Sequence, residues 1–239
     1  MTMPAVPRSP AISLIAGRYL LYHAGDECGE ERWRIEGTET GMVAIGEQWT
    51  VSPHPIPSRH AWRATLARDW RITGLEVHWS VGARELRATH AATPGSGGSV
   101  WRVRIEYGGH VREQEGDFPD YCEVDFATHL FNTLILARRD FQVGGEHEFP
   151  VLRVGPPLMA VTPDRMLYRC LEKGTFPFVL GPLPAGRYVV SLPGPGDGRG
   201  DEQGYTFWAD KDGIVLESYD GLDRSRPWMR LVEYRREVP

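Results

Sequence analysis

Acidic and imidazole side chains are concentrated in the middle of the sequence. Six carboxylates lie between Glu113 and Asp125, with His110 before them and His129 after them. Carboxylates close to a histidine can act as general acid and base, or can hold a hard metal ion. We take Glu123, Asp125 and His129 as the candidate catalytic residues. The alternative is a solvated strand end and loop without a catalytic role, and no resident metal or cofactor is predicted.

The relation between Asp125 and His129 depends on a helix that the sequence predicts over about residues 125–140. Asp125 is suited to cap the start of this helix, two arginines lie in its last turn, and Gly144 and Gly145 would end it. Residues four apart in a helix lie on the same face. A carboxylate beside an imidazole raises the basicity of the imidazole and fixes its tautomer. Asp125 and His129 are therefore predicted to form an acid–base pair.

The predicted helix is apolar on nearly all sides, which is typical of a helix buried within a fold. His129, Asn132 and Thr133 lie in it, and Asn132 is the only asparagine of the chain. A buried polar group without a partner costs about 1–3 kcal/mol, so each of these side chains needs one. Asn132 and Thr133 are candidates for binding the polar group of a ligand. The alternative is that they fasten the helix to the surrounding strands.

Elsewhere, apolar and polar residues alternate in short runs, a pattern that predicts strands with one buried face. Turn residues separate most of these runs at hairpin distances. Tryptophans in the apolar phase are candidate ligand-binding residues, because they either fill the core or line a hollow that stacks on a ligand. These are Trp33, Trp62, Trp79, Trp101 and Trp228. His60 shares the phase of Trp62, but the prolines just upstream favour an exposed strand end.

Together these elements predict a mainly β protein. A single antiparallel meander is expected to curl into an open or half β-barrel around one buried helix, because a curled sheet can bury a helix that is apolar on all sides. The barrel would occupy residues 17–236 as a single domain. Residues 1–16 would form a flexible N-terminal extension.

The composition excludes several classes of protein. A formal charge of −5 and the absence of a basic patch argue against a nucleic-acid partner. The apolar run near the N-terminus is too short to span a membrane and lacks the features of an export signal, so we expect a cytoplasmic protein. Cys28, Cys122 and Cys170 have no metal-binding spacing and are expected to be reduced. The motifs of common hydrolases are absent.

Several segments recur in the order of a known family. Val124 to Arg139 carries Val-Asp-Phe followed by the predicted helix and two arginines, and downstream come AGRYVV at 185–190, YTFWAD at 205–210 and GIV at 213–215. In this order the features resemble bacterial half-barrel proteins of unknown function that are related to lipoprotein carriers and to proteins assigned to glycolipid binding. The resemblance covers almost the whole predicted domain. It implies an antiparallel sheet wrapped around an inserted helix, with apolar ligands in the hollow between them.

We therefore expect the protein to bind a hydrophobic or amphipathic small molecule, lipid-like or natural-product-like, between the concave face of the sheet and the helix. An alternative is a cofactor-independent isomerase, cyclase or hydratase that acts on a hydrophobic substrate in the same pocket. In that case Asp125 and His129 would be the acid–base pair, and Asn132 or Glu123 would orient the substrate. A third hypothesis is a protein-interaction module that uses an exposed sheet edge.

Overall fold

The computed structural model describes residues 15–95, 98–118, 122–155, 159–191, 204–220 and 225–237. Of the predicted N-terminal extension, residues 1–14 lie outside this description, and Ile15 and Ala16 already belong to the first strand. The described elements are strands apart from one helix. The prediction of a mainly β protein with one helix is confirmed for this part of the chain.

Fifteen strands form one sheet. The strands before the helix are β1 (Ile15–His23), β2 (Asp26–Gly37), β3 (Met42–Thr50), β4 (Ser58–Leu66), β5 (Ile72–Val81), β6 (Arg84–Gly95), β7 (Gly98–Tyr107), β8 (His110–Phe118) and β9 (Glu123–Phe126). The helix is α1 (Leu130–Leu136). The strands after it are β10 (Glu146–Gly155), β11 (Ala160–Phe178), β12 (Gly181–Ser191), β13 (Tyr205–Asp210), β14 (Val215–Asp220) and β15 (Pro227–Arg236).

The first and last of these strands pair with each other in the middle of the sheet. From β1 the strands run outward one after another to β8 at one edge, and from β9 at the other edge they run back to β15. Neighbouring strands are antiparallel, except that β9 and β10 are parallel and are connected through α1. The sheet is open and antiparallel as predicted, but with fifteen strands it is larger than a half-barrel around one helix.

The two edges of the open sheet lie close together because the chain connects them directly. Only residues 119–122 separate the end of β8 from the start of β9, so the gap there spans at most about 18 Å. Nearby, the Gln114 side-chain amide donates to the Val161 carbonyl oxygen at 3.1 Å, and a ring nitrogen of His90 lies 3.0 Å from the Met159 carbonyl oxygen. We name these four residues the seam. The sheet is thus barrel-like, and among the described residues side chains of β6 and β8, rather than a strand ladder, reach carbonyl groups at Met159 and at the start of β11.

The inner face of the curled sheet carries the core, and two tryptophans lie close against it. Trp33 is registered opposite Gly17 and Gly46, and Trp62 is registered opposite Gly46. A Cβ atom at either glycine would collide with an indole ring. The missing side chains therefore allow each indole to cover the backbone of a neighbouring strand.

The helix is shorter than the prediction of residues 125–140, and Asp125 does not cap it. Residues 123–126 form β9, which pairs with β10, so Asp125 lies in a strand. The Thr128 hydroxyl instead accepts a hydrogen bond from the Leu130 N–H at 3.2 Å, just before the first turn. All seven residues of α1 are buried, as the apolar pattern predicted. The tertiary pairing of β9 overrides the helix signal at its start.

Two further expectations differ from the structure. The acidic run was expected to be a strand end and loop or a site, and its residues 113–118 lie in the edge strand β8, whose residues are exposed or partly exposed, while residues 123–125 lie in β9. Because β8 has no buried face, its sequence shows no alternation of apolar and polar residues.

Trp228 is 41% exposed instead of facing inward. A β-bulge at Val232 adds one residue to β15, so the phase read from Tyr234 is inverted at Trp228.

Candidate functional site

A group of polar side chains fastens the start of α1 to three strands. We name it the helix tether, and it consists of His129, Asn132, Tyr168, Tyr205 and Ser218. The Asn132 side-chain oxygen accepts hydrogen bonds from the hydroxyls of Tyr168 and Tyr205, the latter at 2.9 Å. The Ser218 hydroxyl lies 3.1 Å from His129 Nε2, and the Asn132 amide nitrogen lies 3.3 Å from His129 Nδ1. The helix is thereby joined to β11, β13 and β14.

The helix tether satisfies most of its polar atoms internally. Burial lowers the pKa of His129 to about 4, so the imidazole is neutral at pH 7. Burial raises the pKa of Tyr168 and of Tyr205, so both hydroxyls remain protonated donors. Thr133 is also engaged, because its hydroxyl accepts from the Val215 N–H at 3.2 Å. The contacts of Asn132 and Thr133 match the fastening role considered for them, and a ligand-binding role for both stays a prediction.

The three candidate catalytic residues have separate sets of partners. The Asp125 carboxylate lies 3.8 Å from the Arg153 guanidinium of β10, and burial raises the pKa of Asp125 against the pull of that arginine. Glu123 is buried and forms ion pairs with the two arginines that follow α1. Burial raises the pKa of Glu123 to about 7, while one of those arginines opposes the shift. The predicted turn-to-turn spacing of Asp125 and His129 does not occur, and catalytic roles for all three stay predictions.

A second group of polar atoms lies on the inner face of β1, β2 and β4. We name its members the interior row, and they are Tyr19, Glu31, Trp33, His60 and Trp62. Among the described residues, no hydrogen-bond partner within ordinary distance is found for the Tyr19 hydroxyl, one Glu31 carboxyl oxygen, both His60 ring nitrogens and the two indole nitrogens. The Thr133 and Trp33 side chains nevertheless lie near enough to the Tyr19 hydroxyl to act against the rise in its pKa that burial causes. Each of these residues is at most 3% exposed. An unmet buried polar atom costs about 1–3 kcal/mol, so this group is the candidate binding site.

Strand register brings the interior row together and directs it at the helix. Tyr19 is registered opposite Glu31, and its ring lies 5.7 Å from that of Trp33. The Trp62 ring lies 5.6 Å from Phe131 of α1 in an edge-on contact. Aromatic faces and unmet donors and acceptors thus occupy one continuous region between the sheet and α1. Such a combination of aromatic surface and a few polar groups is typical of small-molecule sites.

Glu31 is the member of the interior row that the sequence interpretation missed. It precedes Trp33 by two residues and Ile35 by four, so its side chain points to the same buried face of β2. A carboxylate at an otherwise apolar, inward-facing position could have identified it from the sequence. One of its carboxyl oxygens accepts a hydrogen bond from the Thr128 hydroxyl, just before α1. Burial raises the pKa of Glu31 to about 8, so the carboxyl group is protonated at pH 7.

His60 is buried, and the expectation of an exposed strand end is wrong. Its ring stacks on Trp79, with centroids 4.5 Å apart and an interplanar angle of 9°, and meets Phe126 edge-on at 5.7 Å. Burial lowers the pKa of His60 to about 4, so the ring is neutral at pH 7. Trp101 is also buried on the inner face, while Trp79 is partly buried. The ligand-binding assignment of the tryptophans stays a prediction.

A groove of about 1430 Å³ runs along β1–β7 and β15, and its lining includes Trp33 and Trp62 of the interior row. Arginine and glutamate side chains form much of its lining. Some of them are paired, as Arg18 is with Glu30 at 3.2 Å and with Glu233 at 2.5 Å. No residue of α1 lines this groove. A charged lining of this kind does not match the hydrophobic ligand that we expect between the sheet and the helix.

Two further structural tests concern metals and membranes. Among the described residues, no three histidine, cysteine or acidic side chains lie close enough together to hold a metal ion. In the same part of the chain, no helix has the length and apolar character needed to cross a bilayer.

The fold and the interior row define a mainly β, barrel-like protein with an aromatic interior and a short buried helix. Residues 20–180 match the family described as "Putative glycolipid-binding", and the chain belongs to that family. The resemblance seen in the sequence is thereby confirmed. No curated protein matches the chain in sequence.

One solved structure agrees with this class of fold. A beta-barrel-like protein of the domain of unknown function DUF1849 from Brucella abortus is 10% identical, with a TM-score of 0.59 over 95% of this chain and 99% of that one. A DUF1089 family protein from Pseudomonas aeruginosa is 15% identical, with a TM-score of 0.48 over 81% of this chain and 91% of that one. At such low identity the first likeness supports the barrel-like fold alone.

Proposed function

We propose that the protein binds one amphipathic, glycolipid-like molecule in its interior, between the inner face of the sheet and α1. The observation that carries this proposal is the interior row, where polar atoms without partners lie among aromatic rings. Aromatic faces stack on sugar rings, and hydroxyl, carboxyl and indole groups hydrogen-bond to sugar hydroxyls. Membership of a family described by glycolipid binding supports the same ligand class.

The inner face next to the interior row supplies an apolar surface for a hydrocarbon chain. Small and aliphatic residues share this face on β3–β6, among them Ala44, Ala64, Leu75 and Ala88, and each is at most 3% exposed. Burial of hydrocarbon against such a surface contributes about 25 cal/mol for each Å² removed from water. A molecule with one polar and one apolar part therefore suits this region better than a fully polar one.

The seam provides the route into this interior. His90 lies between two carbonyl oxygens, that of Leu75 at 3.3 Å and that of Met159 at 3.0 Å. Burial lowers the pKa of His90, and a neutral imidazole has one N–H group, so it donates to only one of the two carbonyls. Separation of the sheet ends at the seam breaks side-chain contacts and leaves every strand ladder intact. Ligand entry there requires less disruption than entry between paired strands.

The test is binding of a monoglucosyl diacylglycerol whose acyl chains carry bromine, which quenches tryptophan fluorescence on contact. Native mass spectrometry should show one lipid per chain, and the quenching should persist in Trp228→Phe, which removes the most exposed indole of the described part. Retention of quenching is the result expected for a lipid next to buried indoles such as Trp33 and Trp62. Absence of bound lipid, or loss of the quenching in Trp228→Phe, would overturn the proposal, because the second result indicates adsorption to the outer surface.

A further inference from the structure

The interior of the barrel contains acidic and neutral groups but no cation among the described residues. In the part of the chain that the structure describes, the almost fully buried carboxyl and imidazole side chains are Glu31, Glu123, Glu217, His60 and His90, and no arginine or lysine there is buried to that extent. The two histidines are neutral at pH 7, because burial lowers the pKa of each. An anionic group placed in this interior would therefore meet no opposite charge.

The arginines closest to α1 do not supply a free positive charge for an anion in the interior. Arg138 and Arg139 follow the helix, and both form ion pairs with Glu123, the former at 3.0 Å. The Arg139 guanidinium also lies over the Phe149 ring, 4.4 Å from its centroid. Their positive charge is thus directed at a buried carboxylate of the protein itself. A second anion would have to compete with Glu123 for them.

Glu31 offers hydrogen bonds without a charge. One carboxyl oxygen is bonded to the Thr128 hydroxyl, and no partner is found among the described residues for the other. A protonated carboxyl group is both donor and acceptor, as is the Tyr19 hydroxyl opposite it. Two neighbouring groups that each donate and accept are complementary to a pair of hydroxyls. A phosphate or carboxylate could accept from both groups, but its negative charge would find no buried arginine or lysine among the described residues.

From this arrangement we infer that the interior site selects an uncharged, hydroxyl-bearing head group and excludes anionic lipids, with Glu31 and Tyr19 contacting the hydroxyls. The inference rests on the proposed function and adds the ligand's charge class to it. Transfer of an anion into a site without a cation is strongly unfavourable, whereas a neutral hydroxyl loses little when it regains hydrogen bonds. We expect a preference of at least ~30-fold for the neutral lipid.

Two lipids with identical acyl chains test the inference: monoglucosyl diacylglycerol and phosphatidylglycerol, each measured by competition against a fluorescent diacylglycerol. A salt concentration of about 0.15 M limits the long-range effect of the protein's own negative charge, since the Debye length is then about 8 Å. The wild-type protein should bind the glucosyl lipid at least ~30-fold more tightly. Equal binding, or tighter binding of phosphatidylglycerol, would refute the inference. Absence of binding by both lipids would instead refute the proposed function.

Variants at Glu31 test its part in the selection. Glu31→Gln keeps a donor and an acceptor and should retain binding of the glucosyl lipid within about threefold. Glu31→Leu removes both and should weaken that binding by roughly tenfold or more. Glu76→Leu on the exposed outer face removes the same side chain from β5 and serves as the matched control. If Glu31→Leu, checked for folding by urea denaturation, binds the lipid as tightly as Glu76→Leu does, Glu31 does not contact the head group.

Discussion

Replacement of Glu31 by Gln should remove a pH dependence of stability that the buried carboxyl group imposes on the fold. The folded protein keeps the Glu31 proton up to about pH 8, whereas an exposed glutamate has a pKa of 4.5. Between these two values the unfolded chain has lost the proton and the folded protein has not, so wild-type stability falls as pH rises through this window. Above pH 8 both states are ionised and the loss is constant.

The size of the effect follows from the same two pKa values. One pH unit corresponds to 1.36 kcal/mol, so the full window from 4.5 to about 8 amounts to about 5 kcal/mol, and the part below pH 7 to about 3 kcal/mol. Glutamine has nearly the shape of a protonated glutamate and can still accept the hydrogen bond from Thr128. Glu31→Gln should therefore match the wild type near pH 4.5 and exceed its unfolding free energy by about 3 kcal/mol at pH 7.

Urea denaturation followed by tryptophan fluorescence at a series of pH values from about 4.5 to 9 measures this difference. Burial accounts for the pKa of Glu31, with Thr128 as the opposing influence, so the contributions of other titrating groups largely cancel between the two proteins. Glu76→Gln on the outer face should follow the wild type throughout. Two parallel stability curves with a constant offset for Glu31→Gln would refute the reasoning, because they would mean that Glu31 ionises alike in both states.

Three other substitutions should have measurable effects. Asn132→Ala should lower the unfolding free energy by about 2–4 kcal/mol in urea denaturation, because the buried Tyr168 hydroxyl and the partly buried Tyr205 hydroxyl lose their acceptor. Gly46→Ala should lower it by about 1–3 kcal/mol, since the new Cβ collides with the Trp62 ring, and an unchanged value would contradict the close contact. Gln114→Ala removes the bond to the Val161 carbonyl at the seam and should speed lipid release several-fold in stopped-flow fluorescence, with a stability loss of about 0.5–1.5 kcal/mol.

The sequence predicted those parts of the fold in which one face of an element is buried. The period-two runs correspond to strands of the inner core, and the all-round apolar pattern around Leu134 corresponds to a fully buried helix. The period-two pattern did not predict the structure where a strand has no buried face, or where a β-bulge shifts the alternation by one residue. The edge strand β8 has no buried face, and the bulge at Val232 inverts the phase of Trp228.

The candidate site was predictable only in part, because its members are distant in sequence. His129 and Asn132 were recognised as polar residues of a buried helix, but their partners Tyr168, Tyr205 and Ser218 come from three other strands. Glu31 could have been recognised as a buried carboxylate, because it lies in the same alternating positions as Trp33 and Ile35. That its oxygens face Tyr19 and Thr128 depends on strand register and on the position of the helix, which no local pattern specifies.

The pairing of β1 with β15 has a consequence for how the protein is made. Every other neighbouring pair of strands is consecutive in the chain, so both halves of the sheet can form from local contacts as they are synthesised. The two halves are joined only when β15 has been translated and can pair with β1. We expect nascent chains that lack β15 to expose the free edges of β1 and β14, and to depend on chaperones that cover such edges until translation proceeds.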